Sequence, residues 1–379
     1  MNYYTETNYI DHDSLRTAGG KGRDDYFEVL RRCGLKRIRI PTLRKPSGLP
    51  LIQRPLLERR LRKAWRKALS HLGEGDTLVL HSPVSEKFLA YPSVIKEVKN
   101  RGCRIIDIVF DLETFFMSDY RRFAWLKHEA DRRTEAALFE MSDVIICHNE
   151  RMKERIVSLG IQPDRIVCVG VMDYLSNPMD RDGSSAERDS MAERFRLEKP
   201  LVFCGNLAER KSGFVYRLAE HGIPGLSLDI YGPGYMGPSG TGDQQSGCVR
   251  YRGVYTAAEL MSVMEGSFGL VWDGTSVETC MGACGEYLAY NNPHKMSHYL
   301  ASGIPVLVWE DAAMADYVLA NGCGLTIRDL MSVPDVLAGV SAEQYERLRL
   351  NAQKVGSEMR KGAHIRAAVQ KALELSDSK

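Results

Sequence analysis

The stretch NNPHKMSHYLASGIPVLVW, residues 291–309, predicts a short helix followed by a tight turn and a buried strand. Pro293 suits the first helical turn, where a backbone N–H would have no intrahelical partner, and Asn292 suits the N-cap position before it. Gly303 ends the helix, and Pro305 prevents its continuation. The continuous β-branched run PVLVW is typical of a parallel strand buried on both faces.

Lys295 stands in the first turn of this predicted helix. A helix N-terminus carries about half a positive charge and several free N–H groups, so a lysine there is locally unfavourable. The pattern therefore predicts an anion beside Lys295, with phosphate as the commonest candidate. On this interpretation, removing the lysine would leave the free protein as stable as before or slightly more stable. The alternative is a capped helix with a surface lysine.

Strand-like apolar runs alternate with helical segments through the rest of the chain. Repeated βαβ units predict an α/β fold with two Rossmann-like, doubly wound domains that face a cleft. We place the first domain at residues 1–175 and the second at 176–361, with a polar linker at 177–190. Residues 232–247 are rich in Gly, Pro and Ser and predict a loop. A C-terminal helix at about 362–379 is expected to pack back on the first domain.

The composition is that of a folded protein, with 44% hydrophobic and 26% charged residues in 379. A net charge of +2 argues against a strong field for nucleic acid. The nine cysteines form no CxxC pair, and Cys280 and Cys284 lack a second ligand pair at zinc-finger distance. The chain has no run of about 18 apolar residues and no leader pattern. These features predict a cytoplasmic protein with free thiols and no metal.

A basic amphipathic helix is predicted at residues 54–72, where seven Arg or Lys accompany Leu57, Leu61, Trp65 and Leu69 on one stripe. Such a helix could lie on an anionic membrane, which would associate the protein with the inner face of the membrane, or face an acidic acceptor. The alternative is a helix packed on the core with a solvated basic face.

Ligands of open α/β sheets bind at the carboxyl ends of the strands. In the first domain the stretches at this edge are TAGGKGRDD, residues 17–25, and FDLETFF, residues 110–116. We expect a loop at 17–25, where Gly19 and Gly20 permit close approach of the backbone to a ligand. AGGKG has neither the dinucleotide nor the P-loop spacing of glycines.

The corresponding stretch in the second domain is GNLAERKS, residues 205–212. Arg210 and Lys211 head the next predicted helix, as Lys295 heads a later one. Three cations and two helix N-termini that converge on one point would bind a diphosphate without a metal ion.

The sequence resembles bacterial glycosyltransferases of the GT-B fold on the segment from YRGVYTAAEL to the NNPHK and LASGIPV motifs. More narrowly it resembles galactofuranosyltransferases and the glucosyltransferases that extend GlcNAc on serine-rich adhesins. The first domain shares AGGKGRDD and FDLE more loosely, with Phe110 where that family usually has histidine. Tyr290 and His298 stand where many retaining GT-B enzymes have two glutamates.

The resemblance implies UDP binding by the second domain, with Asn291 and Lys295 on the ribose or phosphate and no metal site. It also implies that Arg210, Lys211 and Tyr255 surround the nucleotide. The candidate nucleotide-sugar-binding residues are Gly19, Gly20, Asn206, Arg210, Lys211, Tyr255, Asn291, Asn292 and Lys295.

The predicted function is transfer of a hexose, galactofuranose or glucose, from a UDP-sugar to a hydroxyl of a glycan, glycolipid or glycoprotein. An inverting, metal-independent reaction requires a base, and Asp111 is the first candidate, with Glu113 second. Asp111 could instead cap a helix. His81 is a further candidate base, and Asp273 could touch the acceptor or the sugar.

Two alternatives to this function stay open. One is a non-catalytic glycosyltransferase-like partner that binds glycan or peptide and stabilises an active subunit. The other is a nucleotide-sugar epimerase. Association with a second copy of the chain is a further expectation, and nucleic acid is not an expected partner.

Overall fold

The computed structural model describes residues 1–7, 18–40, 54–83, 90–112, 115, 125–176, 193–237 and 245–378. The predicted linker at 177–190 and residues 238–244 of the predicted loop lie outside these ranges. The chain divides into two units. The first comprises Met1–Ile10, Tyr26–Gly170 and Ile365–Lys379, and the second comprises Asp11–Asp25 and Val171–His364. The domain boundaries 1–175 and 176–361 stay a prediction. The two units are interleaved along the chain.

The first unit is built on a six-stranded sheet in which all pairs are parallel. Its strands are β1 Asn2–Thr7, β2 Lys36–Ile40, β3 Thr77–Ser82, β4 Arg104–Val109, β5 Val144–Cys147 and β6 Ile166–Cys168. The unit includes helix α1 Ala18–Arg32 from Tyr26 onward and the last helix of the chain from Ile365 onward. Its other helices are α2 Arg54–Ala68, α3 Tyr91–Lys99, α4 Trp125–Met141 and α5 Glu150–Val157. The strand order is β2-β1-β3-β4-β5-β6. The side on which the chain adds its next strand therefore changes between β1 and β3, which is the switch point of this sheet.

Helix α2 packs on the core of the first unit. Leu61, Trp65 and Leu69 are fully buried, and the Trp65 ring meets the Tyr91 ring edge-on with 4.9 Å between centroids. Leu57 packs partly against the same core. The predicted apolar stripe is therefore a core face and is not available to a membrane. Among the described residues, no helix is long and apolar enough to span a bilayer.

The second unit is built on a seven-stranded sheet with one antiparallel edge strand, β9. Its strands are β7 Leu201–Cys204, β8 Leu228–Tyr231, β9 Gln245–Ser246, β10 Val249–Tyr251, β11 Gly269–Val271, β12 Val306–Trp309 and β13 Gly324–Ile327. Its helices, numbered after α5, are α6 Glu209–His221, α7 Ala257–Val263, α8 Ala283–Glu286, α9 His294–Ser302, α10 Ala315–Asn321, α11 Val333–Ala338, α12 Ala342–Lys361 and the start of α13 Ala363–Asp377.

The strand order of the second sheet is β13-β12-β11-β7-β8-β10-β9. Without β9 this is the doubly wound order of dinucleotide-binding folds, in which the first strand lies at the centre and the chain then builds outward on both sides. The order of building reverses between β7 and β11. Ligands of such sheets bind outside the carboxyl ends of the strands at this switch point.

The stretch 291–309 has the predicted helix, turn and strand. Helix α9 ends at Gly303, whose φ of 82° is left-handed, and β12 pairs in parallel with β11 and β13. The predicted N-cap is wrong by one residue: Pro293 has extended backbone (φ −71°, ψ 126°) and is itself the N-cap, in place of Asn292.

Tyr299 fixes α9 against the centre of the sheet. Its hydroxyl accepts a hydrogen bond from the Cys204 N–H at 2.7 Å and donates one to the Leu270 carbonyl at 3.4 Å. Its ring lies so close to β11 that a Cβ on Gly269 would come within 2.2 Å of it. Helix α9 therefore lies directly over β7 and β11, the two strands of the switch point.

Candidate functional site

The candidate site of the second unit lies at the carboxyl ends of β7 and β11. The first turn of α6 packs against the loop after β11, because the Gly274 N–H donates to the Lys211 carbonyl at 2.8 Å and Gly213 leaves room for Thr275. The first turn of α9 reaches the same loop through Lys295. Two helix N-termini thus meet at the switch point, as the sequence predicts.

Lys295 is paired with Asp273, which follows β11. The two side chains are 8% and 7% exposed, and the ammonium lies 2.7 Å from Asp273 Oδ1. The ammonium also donates to the Trp272 carbonyl at 2.9 Å and lies 4.3 Å from the centroid of the Phe203 ring. Burial lowers the pKa of Lys295, and the Asp273 carboxylate opposes this effect. The anion beside Lys295 in this structure is therefore a side chain of the protein, and the role of Lys295 at a phosphate or ribose stays a prediction.

Lys211 supplies the uncompensated charge at this edge. Its half-buried side chain forms no hydrogen bond or ion pair with any residue that the structure describes. Its ammonium is nevertheless close enough to lower the pKa of both His294 and Lys295. A cation without a counterion beside the Lys295 ammonium is repelled by it, and an anion bound at the site would relieve this repulsion.

His294, the first residue of α9, is a site residue that sequence reasoning missed. Its Nδ1 is buried and has no hydrogen-bond partner within the described ranges. Burial, together with the nearby Lys21 and Lys211 ammonium groups, lowers the pKa of His294 to about 4. The imidazole is therefore neutral near pH 7, with one ring N–H to donate and one nitrogen to accept. Its position in the helix turn that carries Lys295 was the available signal.

The stretch predicted as a loop at 17–25 is helical from Ala18, so that expectation is wrong. Glycine in a helix costs only about 1 kcal/mol relative to alanine, and the buried Tyr26, Val29 and Leu30 anchor the rest of α1. Gly22 has a packing reason, because a Cβ there would lie 1.8 Å from Cε1 of His294. Gly22 thus allows α1 to approach α9.

Residues of α1 before Tyr26 are held within the second unit by the segment that follows β6. Lys21 donates to the Leu175 carbonyl at 2.7 Å and pairs with Asp25, which accepts from the Leu175 N–H at 3.0 Å. The Lys21 ammonium lies 4.7 Å from the Tyr174 ring centroid, and that ring stacks on His298 at 4.9 Å. Lys21 and His294 therefore lie in one packed cluster.

Asn291 and Asn292 lie immediately before α9. The Asn291 side chain is half-buried, and its Oδ1 is buried with no hydrogen-bond partner in the described part of the chain. The Asn292 side chain is 2% exposed. Asn291 thus offers an unused acceptor three residues before His294, whereas Asn292 is part of the packed turn.

The other predicted donor-site residues are placed less closely. Gly19 and Gly20 lie in the first turn of α1, three and two residues before Gly22. Asn206 is exposed, and its Oδ1 accepts from the Ala208 N–H at 2.9 Å. Arg210 is exposed in the first turn of α6, and the half-buried Tyr255 ring lies 6.2 Å from the Tyr231 ring. Within the described ranges, no hydrogen bond or ion pair joins these residues to the side chains of Lys211 and His294.

In the first unit, Asp111 is exposed just beyond the carboxyl end of β4, and Glu113 lies outside the described residues. His81 is 2% exposed, with ring centroids 5.6 Å from Phe27 and 5.8 Å from Phe110. His81 is therefore a member of an aromatic cluster. The described ranges contain no group of three or more His, Cys, Asp or Glu that could hold a metal ion.

Family models match both halves of the chain. "Glucosyltransferase 3-like, N-terminal domain" matches residues 2–171, and "Glucosyltransferase 3-like, C-terminal domain" matches residues 201–372. The chain belongs to the glucosyltransferase 3-like family. The matched C-terminal region contains both helix N-termini of the candidate site.

Two curated relatives agree with this family. The chain is 24% identical to the β-1,6-galactofuranosyltransferase WbbI of Escherichia coli K12 over 95% of its length and 96% of the relative's. It is 21% identical to glucosyltransferase 3 of Streptococcus gordonii over 78% of each chain. The resemblance to galactofuranosyltransferases and glucosyltransferases is thus confirmed for this glucosyltransferase 3-like chain.

Solved structures confirm the GT-B fold class. Sucrose-phosphate synthase of Thermosynechococcus elongatus has a TM-score of 0.63 at 11% identity and covers 100% of this chain and 99% of its own. A glycosyltransferase of Rickettsia africae has a TM-score of 0.55 at 11% identity, with 99% and 98% covered. Anabaena HepE in complex with UDP-glucose has a TM-score of 0.51 at 11% identity, with 100% and 99% covered.

Proposed function

We propose that this glycosyltransferase moves a hexose, galactofuranose or glucose, from a UDP-sugar to a hydroxyl of a glycan, glycolipid or glycoprotein. The observation that carries the proposal is the uncompensated Lys211 ammonium beside the neutral His294 at the switch point of the second sheet. A nucleoside diphosphate supplies the anion that this arrangement lacks. The names of the relatives, a galactofuranosyltransferase and a glucosyltransferase, support a hexose donor.

The chemistry follows from what the departing group needs. Cleavage of the bond between sugar and diphosphate places negative charge on UDP, and fixed cations and helix N–H groups stabilise that charge. Lys211, the ring N–H of His294 and the N-terminus of α9 are the groups that fill this role. Lys295 keeps its bond to Asp273 and holds the loop after β11 against the first turn of α9. Asp111 of the first unit takes the proton of the acceptor hydroxyl in an inverting displacement.

Metal independence is part of the proposal, because the cations of the site replace a divalent ion in neutralising the diphosphate. Turnover of the donor is expected to continue at its full rate in an excess of EDTA. The measurement is release of UDP from an acceptor reaction before and after chelation. Loss of turnover that magnesium or manganese restores would contradict it.

The test of the donor site is Lys211→Ala. We expect UDP to bind about 10- to 150-fold more weakly, since a charge-assisted hydrogen bond contributes about 1.5–3 kcal/mol. Calorimetric titration with UDP measures this change. The matched control is Arg217→Ala, which removes an exposed cation later in the same helix, outside the candidate donor-site residues, and is expected to change affinity little.

Equal losses in the two variants would indicate a general electrostatic effect instead of a site at Lys211. Unchanged affinity in Lys211→Ala would overturn the assignment of the donor site.

Turnover with simple glycoside acceptors separates the proposal from a non-catalytic partner, which would bind UDP-sugar without consuming it. Consumption of UDP-sugar without any acceptor would instead indicate an epimerase.

A further inference from the structure

Helix α2 carries a row of exposed cations that the proposed reaction does not use. Arg59, Arg60, Lys63 and Lys67 are exposed and form no hydrogen bond or ion pair through their side chains with any described residue. Their spacing of one, four and eight residues places them on one face of the helix. Arg66, on the flank of this face, is paired with Glu97. We call the four unpaired residues the cationic face.

The packing of α2 fixes the direction of the cationic face. Leu61 and Trp65 are fully buried on the opposite side of the helix, so the helix cannot rotate without exposing them. Four like charges within about 12 Å, at 1.5 Å of rise per residue, repel one another. The net charge of the whole chain is only +2. The positive potential is therefore local, and a planar anionic partner would relieve the repulsion.

We propose that the cationic face docks the first unit on the surface of a bilayer that contains anionic phospholipids. Each Lys or Arg near such a surface contributes to binding, and the contributions accumulate along a flat row. Leu56 lies one turn before Arg60 on the same face, and its side chain is 55% exposed. An aliphatic side chain beside cations can enter the headgroup region, which favours a lipid surface.

The same face lacks what a nucleic acid would use. The only aromatic residue of α2 is Trp65, which is buried, so the face offers no ring on which a base could stack. An acidic protein would satisfy the cations but gives Leu56 no defined role. This docking mode differs from insertion of the apolar stripe, because the stripe stays in the core.

The experiment is co-sedimentation of the full chain with vesicles of phosphatidylglycerol and phosphatidylcholine, against phosphatidylcholine alone. We expect binding to the mixed vesicles at 50 mM salt, no binding to the neutral ones, and loss of binding at 0.5 M salt. The variant Arg59→Gln/Arg60→Gln/Lys63→Gln/Lys67→Gln is expected to bind at least tenfold more weakly. Glutamine keeps the helix propensity of α2 close to that of the wild type.

A matched control removes four exposed cations from other helices of the chain. The variant Arg155→Gln/Arg347→Gln/Lys354→Gln/Lys371→Gln changes the net charge equally and is expected to sediment like the wild type. Equal losses in both variants would overturn the proposal in favour of non-specific attraction. Failure of the wild type to bind the mixed vesicles would overturn it outright.

Leu56→Gln identifies the kind of partner. We expect it to weaken vesicle binding severalfold while leaving retention on polyglutamate and on duplex DNA unchanged. Equal effects on all three, or tighter binding of the wild type to either polyanion than to vesicles of matched charge, would contradict a lipid surface. UDP affinity does not depend on α2, so failure of the membrane-docking proposal would leave the proposed function untouched.

Discussion

Lys295→Ala is expected to lower the free energy of unfolding by about 3–5 kcal/mol, because it leaves the carboxylate of Asp273 buried without its cation. The pair is under a tenth exposed, and the ammonium also satisfies the Trp272 carbonyl. Removing one partner of a buried ion pair costs far more than the pair itself contributes. Urea unfolding of the free protein measures the change. This outcome reverses the expectation from sequence that the free protein would be unaffected.

A double substitution separates the pair from its surroundings. Lys295→Ala/Asp273→Ala is expected to recover part of the loss, because no unpaired charge remains. Lys211→Ala is the matched control, since it removes a neighbouring lysine whose side chain has no partner among the described residues. Its stability is expected to equal or slightly exceed that of the wild type. A stable Lys295→Ala protein would show that Asp273 finds another partner or becomes solvated.

Asp111→Asn is expected to lower turnover by about 10²–10⁴-fold while UDP-sugar binding is retained, since a general base contributes on this scale and the amide keeps the shape. Asp111 is exposed beyond the end of β4, where an acceptor hydroxyl can reach it in this proposal. Single-turnover rates with saturating donor measure the chemical step, and calorimetry with UDP measures binding. Both are needed to separate catalysis from folding.

The matched control for Asp111 is Asp164→Asn, which makes the same change of charge at another exposed position of the first unit and is expected to keep full turnover. If Asp111 only caps the segment that follows it, Asp111→Asn would lower the melting temperature with little change in rate. That result would move the base elsewhere, with Glu113 next to be tested.

The sequence alone determined the fold class, because the signals that carry it are local. PVLVW reads as a buried parallel strand from its own composition, and Gly303 and Pro305 terminate the helix before it whatever packs nearby. Repetition of such units implies parallel sheets, since parallel neighbours require crossover connections. The positions of Lys211 and Lys295 in two first turns followed from the same local signals, and so did the meeting of those turns at a strand edge.

Only the tertiary structure decided which groups of the candidate site are paired. Lys295 and Asp273 are 22 residues apart, and nothing local indicates that packing of α9 on β11 buries them together. Gly22 and His294 are far apart in the sequence, so no local signal indicates that residues 18–25 dock on α9. Burial and ion pairing depend on neighbours distant in sequence. These neighbours decide whether a lysine pairs with a carboxylate of the protein or stays available to a phosphate ligand.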